Sequence, residues 1–501
     1  MNHRKSGINV NRRRWLQSGG VLVASSVLAA CGGGSDASEA AVGSSPSTPT
    51  PPSSSTPPSP SNPPSLPQNT IAASVSFAPV ASPAVIDSSF AGISVEKSNL
   101  SFTSFSVQNA NLVAAFNLLK PSVLRIGGNS TDGSSWQPLG ADTTKGVITR
   151  KGVDRLAAFA QVTGWKVIYG INMVSNDPGS VVDEATYVAT ALGDSLLGFE
   201  LGNEPDLYGK HGQSPATYGA FKALWEQYAS DIRASLPSAV FTGPATASDY
   251  KNFTVPFAAD EQGSISILTQ HNYRDPATGS IDAMLQPDPK LAPMLQVLQQ
   301  ASGGGLQYRI TEANSYYSGG KPGVSDAHAS ALWALNFMFT VASYGCRGVN
   351  FHTGTGSYYS PIAFKAGSGQ VLSLAPEYYG IYLFRQASDG ALMESTLSTD
   401  GKTLSAYAVQ GADGGIAVFL VNIDSSFAYQ VQIACPPKVA NGLVMTLSGP
   451  SLDSLSGTQI NGATIPLDSA WTPPPSPSVA VKDGQLTVSV PPAGAVMVKI
   501  S

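Results

Sequence analysis

A chain of 501 residues with 42% hydrophobic content has room for two or three domains and a large core. Only 12% of the residues are charged, and 50 Gly with 37 Pro disfavour coiled coils and long solvated helices. The formal net charge is −5 with no Lys/Arg-rich run in the body of the chain, which argues against a nucleic-acid partner, and three cysteines without a Cys/His cluster exclude a disulfide scaffold and a structural zinc site.

In chain order, Asn11-Arg12-Arg13-Arg14-Trp15-Leu16-Gln17 reads as a twin-arginine export signal. The apolar, small-sided stretch 19–30 that follows is too short to remain as a spanning helix. It ends in Leu28-Ala29-Ala30-Cys31, which resembles a lipobox, so Cys31 is expected to become the lipid-modified first residue of the mature protein. An ordinary cleaved signal with a chance cysteine is the alternative. Gly32 lacks the Asp that retains many lipoproteins at the inner membrane, so the expectation is an exported protein anchored facing the periplasm or the cell surface. Losing Arg4, Lys5, Arg12, Arg13 and Arg14 with the signal takes the formal charge from −5 to −10, ill suited to holding a long polyanion by bulk attraction. Residues 32–68 form a linker. Its stretch 46–67 has ten Pro and ten Ser/Thr, which cannot bury a core and favours extended polyproline II.

Residues 69–88 are expected to add one or more strands to a C-terminal β-sandwich. Across 89–388 short apolar runs alternate with longer amphipathic stretches. Strands are predicted at 90–96, 122–127, 166–172, 196–201, 240–244, 265–271, 306–311 and 348–352. Helices are predicted at 154–162, at 215–236 with Ser214 as cap and Pro215 in the first turn, and at 325–344 beginning at Ser325 and Asp326. Eight alternations indicate an α/β chain built as a (β/α)8 barrel, with a doubly wound open sheet as the rival. From 389 to 501 the rhythm becomes period-2, with strands predicted at 403–409, 415–422, 429–433, 443–447, 485–490 and 495–500, a β-sandwich.

Glu204, in Leu201-Gly202-Asn203-Glu204-Pro205, stands where the fourth strand enters its loop, and Glu312, in Thr311-Glu312-Ala313-Asn314, stands at the same end of the seventh. Active sites of such barrels lie at that C-terminal mouth. A pair of carboxylates there suits glycoside hydrolysis, one protonating the leaving oxygen and the other attacking or activating water at the anomeric carbon. Either glutamate alone would more often be a salt-bridge partner.

The segment 199–205 is similar to the acid/base motif of clan A retaining glycosidases, and within them the chain resembles glycoside hydrolase family 79, the heparanases and β-glucuronidases. The resemblance rests on that segment, on Leu124-Arg125-Ile126-Gly127-Gly128-Asn129-Ser130-Thr131-Asp132, on Thr269-Gln270-His271-Asn272-Tyr273, and on the run from Glu312 to Gly320. It implies Glu204 as general acid/base and Glu312 as nucleophile, roughly 5–5.5 Å apart and sharing one proton that belongs on Glu204. It implies that Asn203 contacts the sugar 2-hydroxyl, that His271 orients the nucleophile with Tyr273 beside it, and that Arg125 holds the nucleophile ionised. Glu200, deeper on the fourth strand, is expected in a packed polar network.

A β-linked glucuronic acid is the implied substrate, its carboxylate met by Tyr317 and the Ser318–Gly319 backbone, with Tyr358 or Tyr359 as a second phenol. Glu96 and Lys97 fall where the family contacts sugar hydroxyls. Asn129 stands where heparanase-like sequences carry Thr. Cations for a sulfated glycan would have to come from Lys97, Lys210, Arg274 and Lys321. The expectation is therefore a monomeric enzyme with a carbohydrate substrate, no metal, no cofactor, and membrane contact through its lipid alone. Cys346 and Cys435 read as small buried hydrophobes. Two rival readings are a clan A glycosidase acting on neutral sugars and a lipid-anchored carbohydrate-binding protein without catalysis.

Overall fold

The computed structural model describes residues 69–175, 177–303, 305–365, 367–387, 389–467 and 471–501. The export signal, Cys31 and the linker 32–68 lie outside the described residues. Eight parallel strands close into a barrel: Ala91–Glu96, Val123–Gly127, Lys166–Ile171, Leu196–Leu201, Phe241–Thr246, Ile267–Arg274, Gln307–Tyr316 and Val349–Thr353, the last pairing with the first. These are the eight alternating runs of the sequence, and the open sheet is excluded. Helices cover the outside while side chains fill the inside. A strand such as Val123–Gly127 is therefore buried along its whole length, and its sequence is apolar without alternating.

The helix Arg150–Thr163 starts where Thr149 accepts the N–H of Gly152 and stops at Gly164, whose φ of 71° an L side chain would resist. This helix starts four residues before the predicted 154, and the caps of two others differ from expectation. The helix Tyr218–Ser235 is capped by Thr217, not Ser214; Thr217 is extended and accepts the N–H of Ala220, while the Ser214–Pro215 bond is cis and lies before the helix. The helix predicted at 325–344 runs Ala329–Ser343, because Ser325 Oγ is bonded to Ser315 Oγ at 2.8 Å and to the N–H of Lys321, leaving it no role as a cap.

That last helix is apolar on nearly every side, as a helix covered on two faces must be. Trp333 meets Phe351 of the eighth barrel strand edge-on at 6.2 Å, while Phe339 stacks on Tyr407 at 4.3 Å. Tyr407 belongs to the second layer, an 11-stranded curled sheet closed over its own core of Val418, Leu420, Val431 and Val498. This curled sheet is the form the expected sandwich takes. The N-terminal strand Thr70–Ala78 joins it as foreseen, antiparallel to Gly390–Thr399 and parallel to Ala428–Ala434. Among the described residues no helix is long and apolar enough to cross a membrane.

At the N-terminal end of the barrel, the buried Arg309 guanidinium donates to Asn350 Oδ1 and to the carbonyls of Ser89, Phe90 and Arg347, and burial lowers its pKa to about 10. The chemistry is at the other end.

Candidate active site

Arg125, on the second barrel strand, is fully buried and organises the mouth. Its Nε donates to Glu200 Oε2 at 2.5 Å, Nη1 to Glu312 Oε2 at 2.7 Å and to Ser94 Oγ at 3.3 Å, and Nη2 to Asn203 Oδ1 at 2.8 Å. Gly127 makes the room: a Cβ there would lie 2.5 Å from the guanidinium carbon. Because Arg125 only donates, the amide of Asn203 must turn its oxygen inward, and its Nδ2 faces Asn129 Oδ1 at 3.4 Å.

Glu312 also accepts the Tyr273 hydroxyl at 2.8 Å, and His352 Nδ1 lies 3.7 Å away. Burial by itself would raise this carboxyl. The charges of His352, His271 and Arg125 and the Tyr273 hydrogen bond overcome burial and hold it well below the ordinary carboxylate range. The Tyr273 phenol moves the opposite way, far above its usual value, through burial and the Glu312 charge, so it stays a donor.

Glu204 sits on a left-handed turn residue (φ 54°, ψ 53°) just past the fourth strand, with its N–H bonded to the Ala245 carbonyl at 2.9 Å. Its Oε1 is 3.0 Å from His271 Nδ1, and the other ring nitrogen of His271 is buried with no hydrogen-bond partner among the described residues. One carboxylate oxygen of Glu204, one of Glu312 and one ring nitrogen of His271 all lie within 4.8 Å of one another. Three such ligand atoms could also hold a divalent cation, but Glu312 already has its countercharge in Arg125. Two carboxyl groups this close match the separation of a retaining pair, in which the second carboxylate itself attacks the anomeric carbon, and fall short of the wider spacing of an inverting pair.

No family model matches the chain. It is 26% identical over 373 residues to a β-glucuronidase of Aspergillus niger, covering 64% of this chain and 67% of that one. To a β-glucuronidase of Neurospora crassa it is 24% identical over 305 residues, spanning 51% of this chain and about half (54%) of the relative's length. Among solved structures it superposes on a 4-O-α-L-rhamnosyl-β-D-glucuronidase from Fusarium oxysporum with a TM-score of 0.71 at 18% identity, over 85% of this chain and 100% of that one. The α-L-arabinofuranosidase of Thermotoga maritima gives 0.64 at 15%, over 86% and 99%. The chain is a glycoside hydrolase, similar in sequence to these fungal β-glucuronidases. Its barrel and accompanying sheet are shared with these glycosidases.

The hydrolase gathers most of the sequence-derived residues in one cleft of about 1720 Å³, lined by Glu96, Asn129, Asn203, Glu204, His271, Tyr273, Glu312, Tyr317, Ser318, Gly319 and Tyr359. Glu96 accepts the N–H and hydroxyl of Ser130 and packs under Gly128, where a Cβ would lie 2.7 Å from its carboxyl carbon. Glu200 lies in the buried network foreseen for it, accepting from Arg125 and, at 3.3 Å, from Thr311 Oγ1.

Three expectations are corrected. Lys97 is no sugar contact: the strand ends at Glu96, the following short turn is buried, and the ammonium pairs with Glu184 at 2.7 Å beneath the surface, over the Tyr169 ring. Tyr358 is outside the cleft lining, half exposed with its N–H on the Gly319 carbonyl, whereas the neighbouring Tyr359 faces inward with its ring 5.9 Å from Tyr273. His271 bonds the Glu204 carboxylate, and Tyr273 is the side chain that fixes Glu312. Of the other cations considered, Arg274 is spent on the carbonyls of Ala283 and Gln286, and Lys321 on those of Pro276 and Gly279, while Lys210 lines the cleft.

Sequence reasoning passed over His352, which stands between Glu96 (3.7 Å) and Glu312 and bonds Ser94 Oγ at 3.2 Å. The available signal was its position, a histidine at the mouth end of the eighth strand. Cys346 is buried with its thiol pushed up to about 11, and Cys435 is half-buried, so neither offers a nucleophile.

Proposed function

We propose that this hydrolase is a retaining β-glucuronidase working by double displacement. The observation that carries the reading is the approach of the Glu204 and Glu312 carboxylates to within 4.8 Å at the barrel mouth, one clamped by Arg125 and Tyr273 and the other open to the cleft. With Glu312 held ionised, the one proton two such neighbours keep sits on Glu204. Glu312 attacks the anomeric carbon and forms the glycosyl ester while the bond to the leaving oxygen breaks and Glu204 gives that oxygen its proton. Bond formation removes the charge from Glu312. Glu204, now a carboxylate, takes a proton from the water that attacks the same carbon, and Glu312 departs with retention of configuration.

The glucuronyl unit is supported by the named activity of the fungal relatives and by phenols and a glycine-containing turn at one side of the cleft: Tyr317, Tyr359 and Ser318–Gly319, with φ of 57° and 84° at the last two. Such groups can bind a carboxylate without a strong basic field, in keeping with an acidic chain. Purified protein is expected to hydrolyse p-nitrophenyl β-glucuronide far faster than the matching glucoside or xyloside. Glu312→Gln and Glu204→Gln should each lower kcat by about 10² or more. Equal rates on the three substrates would reject the glucuronide assignment, and an active Glu312→Gln would reject the nucleophile. The proposal includes export and a lipid at Cys31, supported by the sequence of the first 31 residues. Replacing Cys31 by Ser should then move the protein from the membrane to the soluble fraction, and a distribution that does not change defeats the anchor.

A further inference from the structure

Asp132 follows the second barrel strand. Its Oδ2 accepts two donors, the N–H of Asn203 at 2.9 Å and the hydroxyl of Tyr208 at 2.6 Å, and its Oδ1 accepts the N–H of Met173 at 2.9 Å, just past the third strand. Asn203 and Tyr208 bracket the turn that carries Glu204. We propose that Asp132 is a positioning residue for the acid/base carboxylate, a single oxygen clasping both ends of the turn that aims Glu204 at the leaving-group oxygen.

Several features of this turn need such a clasp. Glu204 is left-handed without being glycine, a conformation held only where neighbours over-determine it. Gly202 is built around the same network: its φ is 80°, and a Cβ there would lie 2.4 Å from Tyr208 Oη. On the far side Asp206 accepts the N–H groups of Ala247, Ser248 and Asp249, tying the same turn to the loop after the fifth strand. Between these two carboxylates the Glu204 backbone has one place to go. Asp132 touches no reacting atom in this arrangement and acts through Glu204, so the inference rests on the acid/base role proposed above.

Leaving groups of different acidity separate positioning of a proton donor from general damage. A 2,4-dinitrophenolate leaves without protonation, while phenol or an alkanol needs the proton of Glu204. In Asp132→Asn, kcat/KM for the dinitrophenyl glycoside should stay within about threefold of the unaltered protein, and that for the phenyl glycoside should fall about 10- to 100-fold, part of the usual acid-catalytic factor. Tyr208→Phe, which deletes one donor and keeps the ring, should show the same selectivity more weakly and serves if Asp132→Asn does not fold. Equal losses on both leaving groups, or no loss on either, would overturn the proposal. The series is made with whichever β-glycone the unaltered protein hydrolyses fastest. A wrong sugar assignment then shows in the unaltered protein, while a wrong role for Asp132 shows only in the variant ratios.

Discussion

Arg125 joins three functions in one guanidinium: it neutralises Glu200 below, holds Glu312 ionised and fixes the Asn203 amide with its oxygen inward. Lysine supplies the charge without the fork. Arg125→Lys should therefore lower kcat/KM roughly 100-fold, the scale of a misplacement of about 1 Å. The sign of its pH effect follows from the depressed pKa of Glu312. A carboxyl held low stays ionised, and contributes its stability, above the unfolded carboxylate value; both are lost only as pH falls through the folded value. Weakening the clamp raises that folded value, so the acid limb of the pH–rate profile should move to higher pH. A limb that stays in place would mean that His352 and His271 hold the charge instead. The two glutamates were readable in the sequence because a residue at the end of a barrel strand has a defined destination. Lys97 and the choice between Tyr358 and Tyr359 were not, because the alternation of a strand stops where the strand stops, and the next turn decides which of two neighbours faces the cleft.

Among the elements, the helix Pro376–Phe384 after the eighth strand reinforces the seventh barrel strand, Gln307–Tyr316, through a buried contact. Glu377 in its first turn is buried and receives the Asn314 amide at 3.1 Å, while the same Nδ2 reaches the carbonyls of Tyr359 and His352. A helix N-terminus favours a carboxylate by up to about 2 kcal/mol, which is small against the cost of dehydrating the charge. Burial wins, and the Glu377 pKa rises well above the usual range. A raised acid contributes its stability fully below the unfolded value near 4.3, and loses about 1.4 kcal/mol per pH unit from there to the folded value. Glu377→Gln, neutral at every pH, should thus match the unaltered protein in thermal unfolding at pH 4 and exceed it at pH 7. An identical difference at both pH values would show that the side chain is not titrating. The periodicity that revealed the eight strands did not reveal this helix's role, nor the strand Gly390–Thr399, whose half-exposed faces blur the alternation. Helix starts at Thr217 and His328 were misread because several Ser, Thr and Pro candidates compete locally and tertiary bonds select among them.

For the whole molecule, the curled sheet is continuous only because the strand Thr70–Ala78 lies inside it. On one side it pairs from Ala73 to Ala78 with Glu394–Thr399, and on the other from Thr70 to Val75 with Ala428–Ile433. Val75 is buried in the sheet's own core. The sheet in turn grips the barrel helix Ala329–Ser343 through Phe339 on Tyr407 and through His328 at its N-terminus, whose ring bonds Thr458 Oγ1 at 2.9 Å and the Ala493 carbonyl at 2.8 Å. Removing residues 1–68 leaves every one of these contacts in place, so the 69–501 chain is the reference against which a deeper cut is measured. Removing 1–78 opens two new sheet edges, strips a covering from Val431 and Ile433, and forfeits the full burial of Val75, about 1.5–3 kcal/mol, together with the partial burial of Ile71 and Phe77. The shorter chain should melt far lower or aggregate through its unpaired edges, with barrel activity lost alongside because the helix behind Phe351 loses its second support. Differential scanning calorimetry with a parallel activity assay distinguishes the outcomes. If the 79–501 chain melts with the 69–501 chain, the N-terminal strand is an accessory, and the sheet holds together across the gap by other contacts.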